Sequence, residues 1–179
     1  MMVEKKIALI DEILTEWKDI IGKDYEGYKN HVYRMVQCTF SLHNCINDDR
    51  EKIIIAGCFH DLGLWTEKTV DYLPPSILLV REYLKESQRE EWSTEIETMI
   101  DMHHKITPYK NKKYSLVEVF RRADLADFSL GLIKGGVPKQ SIKELKAEFP
   151  NAGFHKMLLK EQGNWLLKHP LNPFPILKW

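Results

Sequence analysis

Ile7, Ile10, Leu14, Trp17 and Ile21 recur at steps of three and four, which predicts an opening helix with one buried face. Gly22 ends it, and Asp24 to Gly27 reads as a loop. A second helix is expected from about Tyr28 to Leu42, with His31, Met35 and Cys38 on one face. Asn47-Asp48-Asp49 then stops the chain, and Asp48 with Glu51 resembles a capping box. The run IIIAGCFHDL, Ile53 to Leu62, is nearly all apolar or small. A surface helix cannot have that composition, so this is expected to be the central helix, closed by Gly63. Its length alone also suits a buried strand, and the flanking cap and adjacent helices favour helix.

After a loop through Trp65 and Asp71-Tyr72, Pro75 suits the first turn of a helix running to about Lys85, with Ile77, Val80 and Leu84 inward. Thr94 with Glu97, Ser115 with Glu118 and Ser141 with Glu144 are further capping boxes. They open helices ending near His103, near Ser129, and beyond the break Lys134-Gly135-Gly136-Val137-Pro138. A last helix spans about Gly153 to Lys168. The proline-punctuated tail LNPFPILKW is apolar and expected to pack against the body. No repeat or linker is visible, so the pattern predicts one all-α domain over 1–179, a bundle of about seven or more helices.

Composition narrows the class. The 179 residues carry 26 Lys and Arg against 26 Asp and Glu, with 44% hydrophobic and 29% charged residues. That balance is ordinary for a soluble globular protein. It argues against a chain built to coat nucleic acid, so no stable nucleic-acid complex is expected. Cys38, Cys45 and Cys58 are odd in number and form no Cys-x-x-Cys pair, which suits reduced thiols. The opening segment MMVEKKIALIDEILTEW is amphipathic, unlike a signal peptide. No run approaches the ~18 apolar residues of a membrane span. The expectation is a cytoplasmic protein without a membrane partner; oligomeric state is not readable.

Candidate chemistry centres on His31, His60-Asp61 and Asp124. Two imidazoles and two carboxylates from three separated segments are side chains that a hard-to-borderline divalent metal selects. Each also has an ordinary structural reading. His60 and Asp61 diverge by ~100° on a straight helix, and converge on one ion only where the helix ends. Otherwise Asp61 caps a neighbouring helix and His60 bonds a carbonyl. His31 equally suits a satisfied core histidine, and Asp124 a pairing with Arg121 at i−3. His103-His104 sits at a helix C-terminus, a position that favours a charged imidazole in any protein. Lys105, Lys110, Lys112 and Lys113 follow, either a solvated run or a patch that steers anions. Asp71 suits a general acid or base, or a helix cap. No Gly-rich phosphate loop, Ser or Cys nucleophile motif or zinc-finger spacing competes.

The strings NHVYRM, AGCFHDLG and RRADLADFS, in that order, resemble the HD-domain metal-dependent phosphohydrolases over about residues 28–130. The resemblance implies an HD-like helical bundle whose metal ligands are His31, His60, Asp61 and Asp124, with Asp127 an understudy to Asp124. About one divalent metal per chain is implied, with Mn²⁺, Fe²⁺, Co²⁺ or Zn²⁺ favoured over Mg²⁺ because nitrogen ligands suit borderline ions. The implied activity is phosphate-ester hydrolysis on a phosphorylated small molecule, a nucleotide among the candidates. Asp61 would act at the metal, and Arg34 and His103 would hold or polarise the phosphate, His103 being preferred to His104. Two alternatives stand beside it. One is a non-catalytic nucleotide-binding regulatory module. The other is a di-iron oxygenase, whose fuller histidine set this chain meets incompletely.

Overall fold

The helical periodicity becomes helix throughout the computed structural model, which describes residues 2–178. In chain order the α-helices are α1 (Ala8–Glu16), α2 (Lys18–Ile21), α3 (Tyr25–Leu42), α4 (Asp49–Phe59), α5 (Gly63–Thr66), α6 (Leu73–Glu86), α7 (Ser93–Met102), α8 (Ser115–Phe128), α9 (Lys139–Glu148) and α10 (Phe154–Lys168). Two single 3₁₀ turns, Gly22–Asp24 and Glu90–Trp92, lead into α3 and α7. Among the described residues there is no strand, only an isolated bridge between Lys105 and Lys178. The fold is all-α. No described helix is long and apolar enough to cross a membrane.

The stretch read as a loop at 24–27 is instead helical: Asp24 ends the 3₁₀ turn, and Tyr25 to Gly27 begin α3. Gly27 belongs inside that helix because the turn before α10 presses on it: a Cβ there would stand 3.1 Å from the Ala152 carbonyl and 3.2 Å from the Phe154 nitrogen. The centre is shared by α4, which is buried from Ile53 to Phe59 and meets α1, α3, α6, α7 and α8, and by α3. The latter packs along α8 and also meets α4, α9, α1 and α10. It is buried from Gly27 through Thr39 except at Lys29. Its polar residues hid this, and each has a partner. Asn30 donates to the Pro150 carbonyl at 2.9 Å. Gln37 exchanges bonds with the backbone of Glu4, accepting from its N–H at 2.7 Å and donating to its carbonyl at 3.1 Å. A polar group so matched is tolerated in a core.

The capping boxes located helix starts to within three residues but not their chemistry: the N-cap residues of α4, α7, α8 and α9 make no side-chain cap. The carboxylates expected to cap pair elsewhere. Glu97 forks with Arg81, and Glu118 with Arg121. Gly63 likewise does not close α4, which ends at Phe59; it opens α5. A Cβ on it would lie 2.5 Å from the Tyr72 carbonyl and 2.8 Å from Pro75, and its N–H donates to Ser76 Oγ at 2.9 Å. The glycine therefore allows the segment after Asp61 to seat directly on the start of α6. The tail does pack. The Ile106 N–H donates to the Lys178 carbonyl at 2.8 Å, Trp165 Nε1 donates to the Asn172 carbonyl at 2.8 Å, and the Lys178 ammonium pairs with Asp101.

Candidate metal centre

Four helices deliver the site. α3 supplies His31, the turn after α4 supplies His60 and Asp61, the end of α7 supplies His103, and α8 supplies Asp124. All five are buried. Because α4 stops at Phe59, His60 and Asp61 lie on a turn and both side chains face inward. His60 Nε2 is 3.1 Å from His31 Nε2 and 3.2 Å from Asp61 Oδ2. Asp124 Oδ1 stands 3.4 Å from His31 Nε2 and 3.7 Å from His60 Nε2. His103 Nε2 is 3.5 Å from Asp61 Oδ1.

What turns this cluster into a cation site is the other side of each ring. His31 Nδ1 bonds Asp127 Oδ2 at 2.7 Å, His60 Nδ1 the Gly57 carbonyl at 2.8 Å, and His103 Nδ1 the Ile100 carbonyl at 2.7 Å. Each Nδ1 is thereby committed as a donor, which leaves each Nε2 a lone pair aimed at the same small volume. Two such nitrogens 3.1 Å apart need either a shared proton or a metal ion between them. Asp61 Oδ1 and His103 Nε2 are also buried without a hydrogen-bond partner. Buried polar groups left open in this way are costly, and a metal relieves them together. The donor set therefore fits a divalent ion.

The electrostatics agree. Burial disfavours a charged imidazole at His60, yet Asp61 and Asp124 outweigh it and raise that histidine to about 9. Burial resists ionisation of Asp61 as well, but His60 and His103 hold its carboxyl well below the usual range. Burial lifts Asp124 above its ordinary value. The site is a concentrated negative field waiting on positive charge. Two overlapping triads have ligand atoms within 4.8 Å of one another, His31–His60–Asp61 and Asp61–His103–His104, with Asp61 in both.

The family profile of the HD domain matches residues 28–128, more than half of the chain and all of these residues. The chain belongs to the HD-domain family. Searches of curated proteins and of solved structures return no match.

Within the HD core, several expected roles change. Asp127 is not an alternative to Asp124. It stands behind His31, where Arg34 clamps it with Nε to Oδ1 at 2.6 Å and Nη2 to Oδ2 at 2.8 Å. Burial opposes its charge, but His31 and Arg34 bring its carboxyl down to about 2. Arg34 is correspondingly spent: buried, forked onto Asp127 and donating to the Phe149 carbonyl at 2.9 Å, it faces away from the cavity. It positions His31 through Asp127 and does not reach toward a phosphate. Arg121 does not pair with Asp124; it bonds Glu118 and the Lys105 carbonyl. Asp71 is exposed, its N–H donating to Thr69 Oγ1, and none of the four lysines of the basic loop lines the cavity in front of the site.

That cavity, about 560 Å³, has His31, Asp61, Tyr72, His104 and Asp124 at its floor. Tyr72 and His104, left as loop and second choice by the sequence, are both here. The Tyr72 hydroxyl and His104 Nε2 are hydrogen-bonded at 2.7 Å. Burial and the nearby charge of His103 keep His104 well below its ordinary value, and so neutral. Phe154, stacked on the His31 ring with centroids 4.4 Å apart, and the tail residues Phe174, Ile176 and Leu177 complete the walls. No motif marked them, because only tertiary packing brings α10 and the tail over the HD residues.

Proposed function

We propose that this HD domain is a metal-dependent phosphohydrolase acting on a phosphorylated small molecule. The observation that carries the reading is the convergence of three imidazole lone pairs and two carboxylates on one volume at the floor of an open cavity. His31, His60, Asp61 and Asp124 would hold a divalent transition metal, and His103 stands beside Asp61 to complete the set or to meet a phosphate oxygen. A metal bound there lowers the pKa of water and neutralises charge developing at phosphorus. The chain's own groups do the rest. Asp127 and Arg34 fix the His31 ring, the Gly57 and Ile100 carbonyls fix His60 and His103, and the walls exclude bulk water. Tyr72 and His104 add a hydrogen-bonded pair next to Asp61. The free thiols of Cys38 and Cys58, buried and with pKa values raised by burial, suit a reducing cytoplasm.

The triad Asp61–His103–His104 supports a second reading, two metals sharing Asp61. Elemental analysis of wild type and Asp61→Ala separates the cases. About one transition metal per chain, lost with phosphate release in a folded Asp61→Ala protein, is the expected result. Two irons with oxygen consumption would replace hydrolysis by oxygenation. An Asp61→Ala protein that keeps full activity without metal would remove the proposal, and nucleotide binding without turnover would leave a regulatory module.

A further inference from the structure

We infer that the substrate of this site carries an uncharged apolar body, alkyl or aryl, behind a single phosphate, in place of a nucleoside. The inference takes the phosphate end from the phosphohydrolase reading; the body comes from the cavity alone. Beyond the floor, the walls are Phe128, Leu130, Phe154, Leu158, Phe174 and Ile176. The charged residues of the lining are Asp61, Asp124 and Glu161, and no lysine or arginine is among them. A second or third phosphate inside this cavity would meet no lysine or arginine; Lys68 and Lys168 line only the adjoining pocket that shares Leu64, Val70 and Glu161 with it. The nearest guanidinium groups are committed elsewhere, Arg34 to Asp127 and Arg121 to Glu118.

A nucleobase would fare no better. The polar wall residues are His155 and Gln162; both ring nitrogens of His155 are already bonded, and Gln162 spends one N–H on the chain. His155 Nε2 bonds the Phe128 carbonyl at 2.8 Å while its Nδ1 meets Asn151, and Gln162 donates to the Pro173 carbonyl. A base buried here would lose water and gain few partners, which costs affinity. An apolar chain has the opposite balance. It would also cover apolar surface at the rim, where Leu159 is 75% and Phe174 52% exposed. The volume suits a molecule of ordinary ligand size. These walls come largely from α10 and the tail, outside the segment that matches the family, so the apolar preference is this chain's own. In the reaction a water oxygen bonds to phosphorus, the ester P–O bond breaks, and the apolar alcohol leaves with the proton.

The test uses the manganese-loaded protein and two series. Calorimetry follows binding of n-alkylphosphonates from ethyl to octyl, and phosphate release is measured from the matching n-alkyl phosphates and from adenosine and guanosine monophosphates. Kd should fall about fourfold per added methylene until the cavity is full, with kcat/KM rising in parallel and both nucleotides poorer than the hexyl ester. Leu158→Asn in α10 and Ile176→Asn in the tail should each flatten the series; two variants on separate elements guard against one that fails to fold. A flat series, or nucleotides preferred, overturns the inference while leaving the phosphohydrolase reading in place. A steep binding series with no phosphate released from any ester sustains the apolar pocket and overturns that reading instead. Absence of phosphonate binding overturns the inference too, including the case in which light scattering shows a second copy seated on the pocket.

Discussion

Two buried aspartates one turn apart on α8 have opposite energetic roles. Asp127 is held down to about 2 by His31 and Arg34 despite its burial, and it holds Arg34 in turn. Asp124 has no such partner set and is pushed up by burial. Asp127→Asn would leave a buried guanidinium without its carboxylate, so a loss of about 3–5 kcal/mol is expected in urea unfolding. The same variant frees the His31 ring, and manganese affinity should fall about 10–100-fold. Asp124→Asn should abolish metal binding yet cost less stability than Asp127→Asn, because burial of its charge outweighs the attraction of His103, His31 and His60. Unfolding and metal titration on the two proteins check the contrast; equal destabilisation would contradict it. The family resemblance ranks Asp124 above Asp127 as a ligand, but only the geometry shows that Asp127 is bound to His31 and Arg34.

The elements were legible where periodicity reported burial, and obscure where one contact overrode the local rule. Helices α1, α6, α7, α8 and α10 follow their apolar stripes because each packs one face. The start of α3 was lost because Gly27 and Asp24 look like loop residues. Gly27 is instead small so that Phe154 can close on His31. The importance of α3 was masked by Asn30, His31, Arg34 and Gln37, polar residues whose partners lie far along the chain. His60, Asp61 and Asp124 could be singled out because a buried carboxylate needs an explanation in any sequence. The α10 and tail walls could not, since apolar residues there look like any core. Gly63 gives the test at this scale. Gly63→Ala would force a Cβ to within 2.5 Å of the Tyr72 carbonyl. A loss of about 1–3 kcal/mol is expected from overpacking, with weaker metal binding because α5 and Asp61 shift together. Urea unfolding and manganese titration measure both; an unchanged midpoint would mean that the close approach is not held.

For the whole molecule, the centre is a tie among α3, the turn after α4, α7 and α8, added to the apolar packing and to polar links such as Arg34–Asp127, Tyr28–Cys58 and Lys52–Glu95. An ion that binds the folded chain and not the unfolded one stabilises it by mass action. At a free Mn²⁺ concentration about 100 times Kd, that is about 2.7 kcal/mol, or a rise of about 5–10 °C in Tm for a chain of this size. The effect should also depend on pH, with a definite sign. His60 is raised to about 9 by Asp61 and Asp124 against the effect of burial, so the metal must displace a proton at either pH, and the roughly hundredfold lower proton concentration at about pH 8 makes that displacement easier. At fixed Mn²⁺ the Tm shift should therefore grow from pH 6 to pH 8, and it should vanish at both in Asp61→Ala. Thermal unfolding followed by circular dichroism reads this without reference to any substrate. A shift that is independent of pH, or that survives in Asp61→Ala, would place the ion somewhere other than among these histidines.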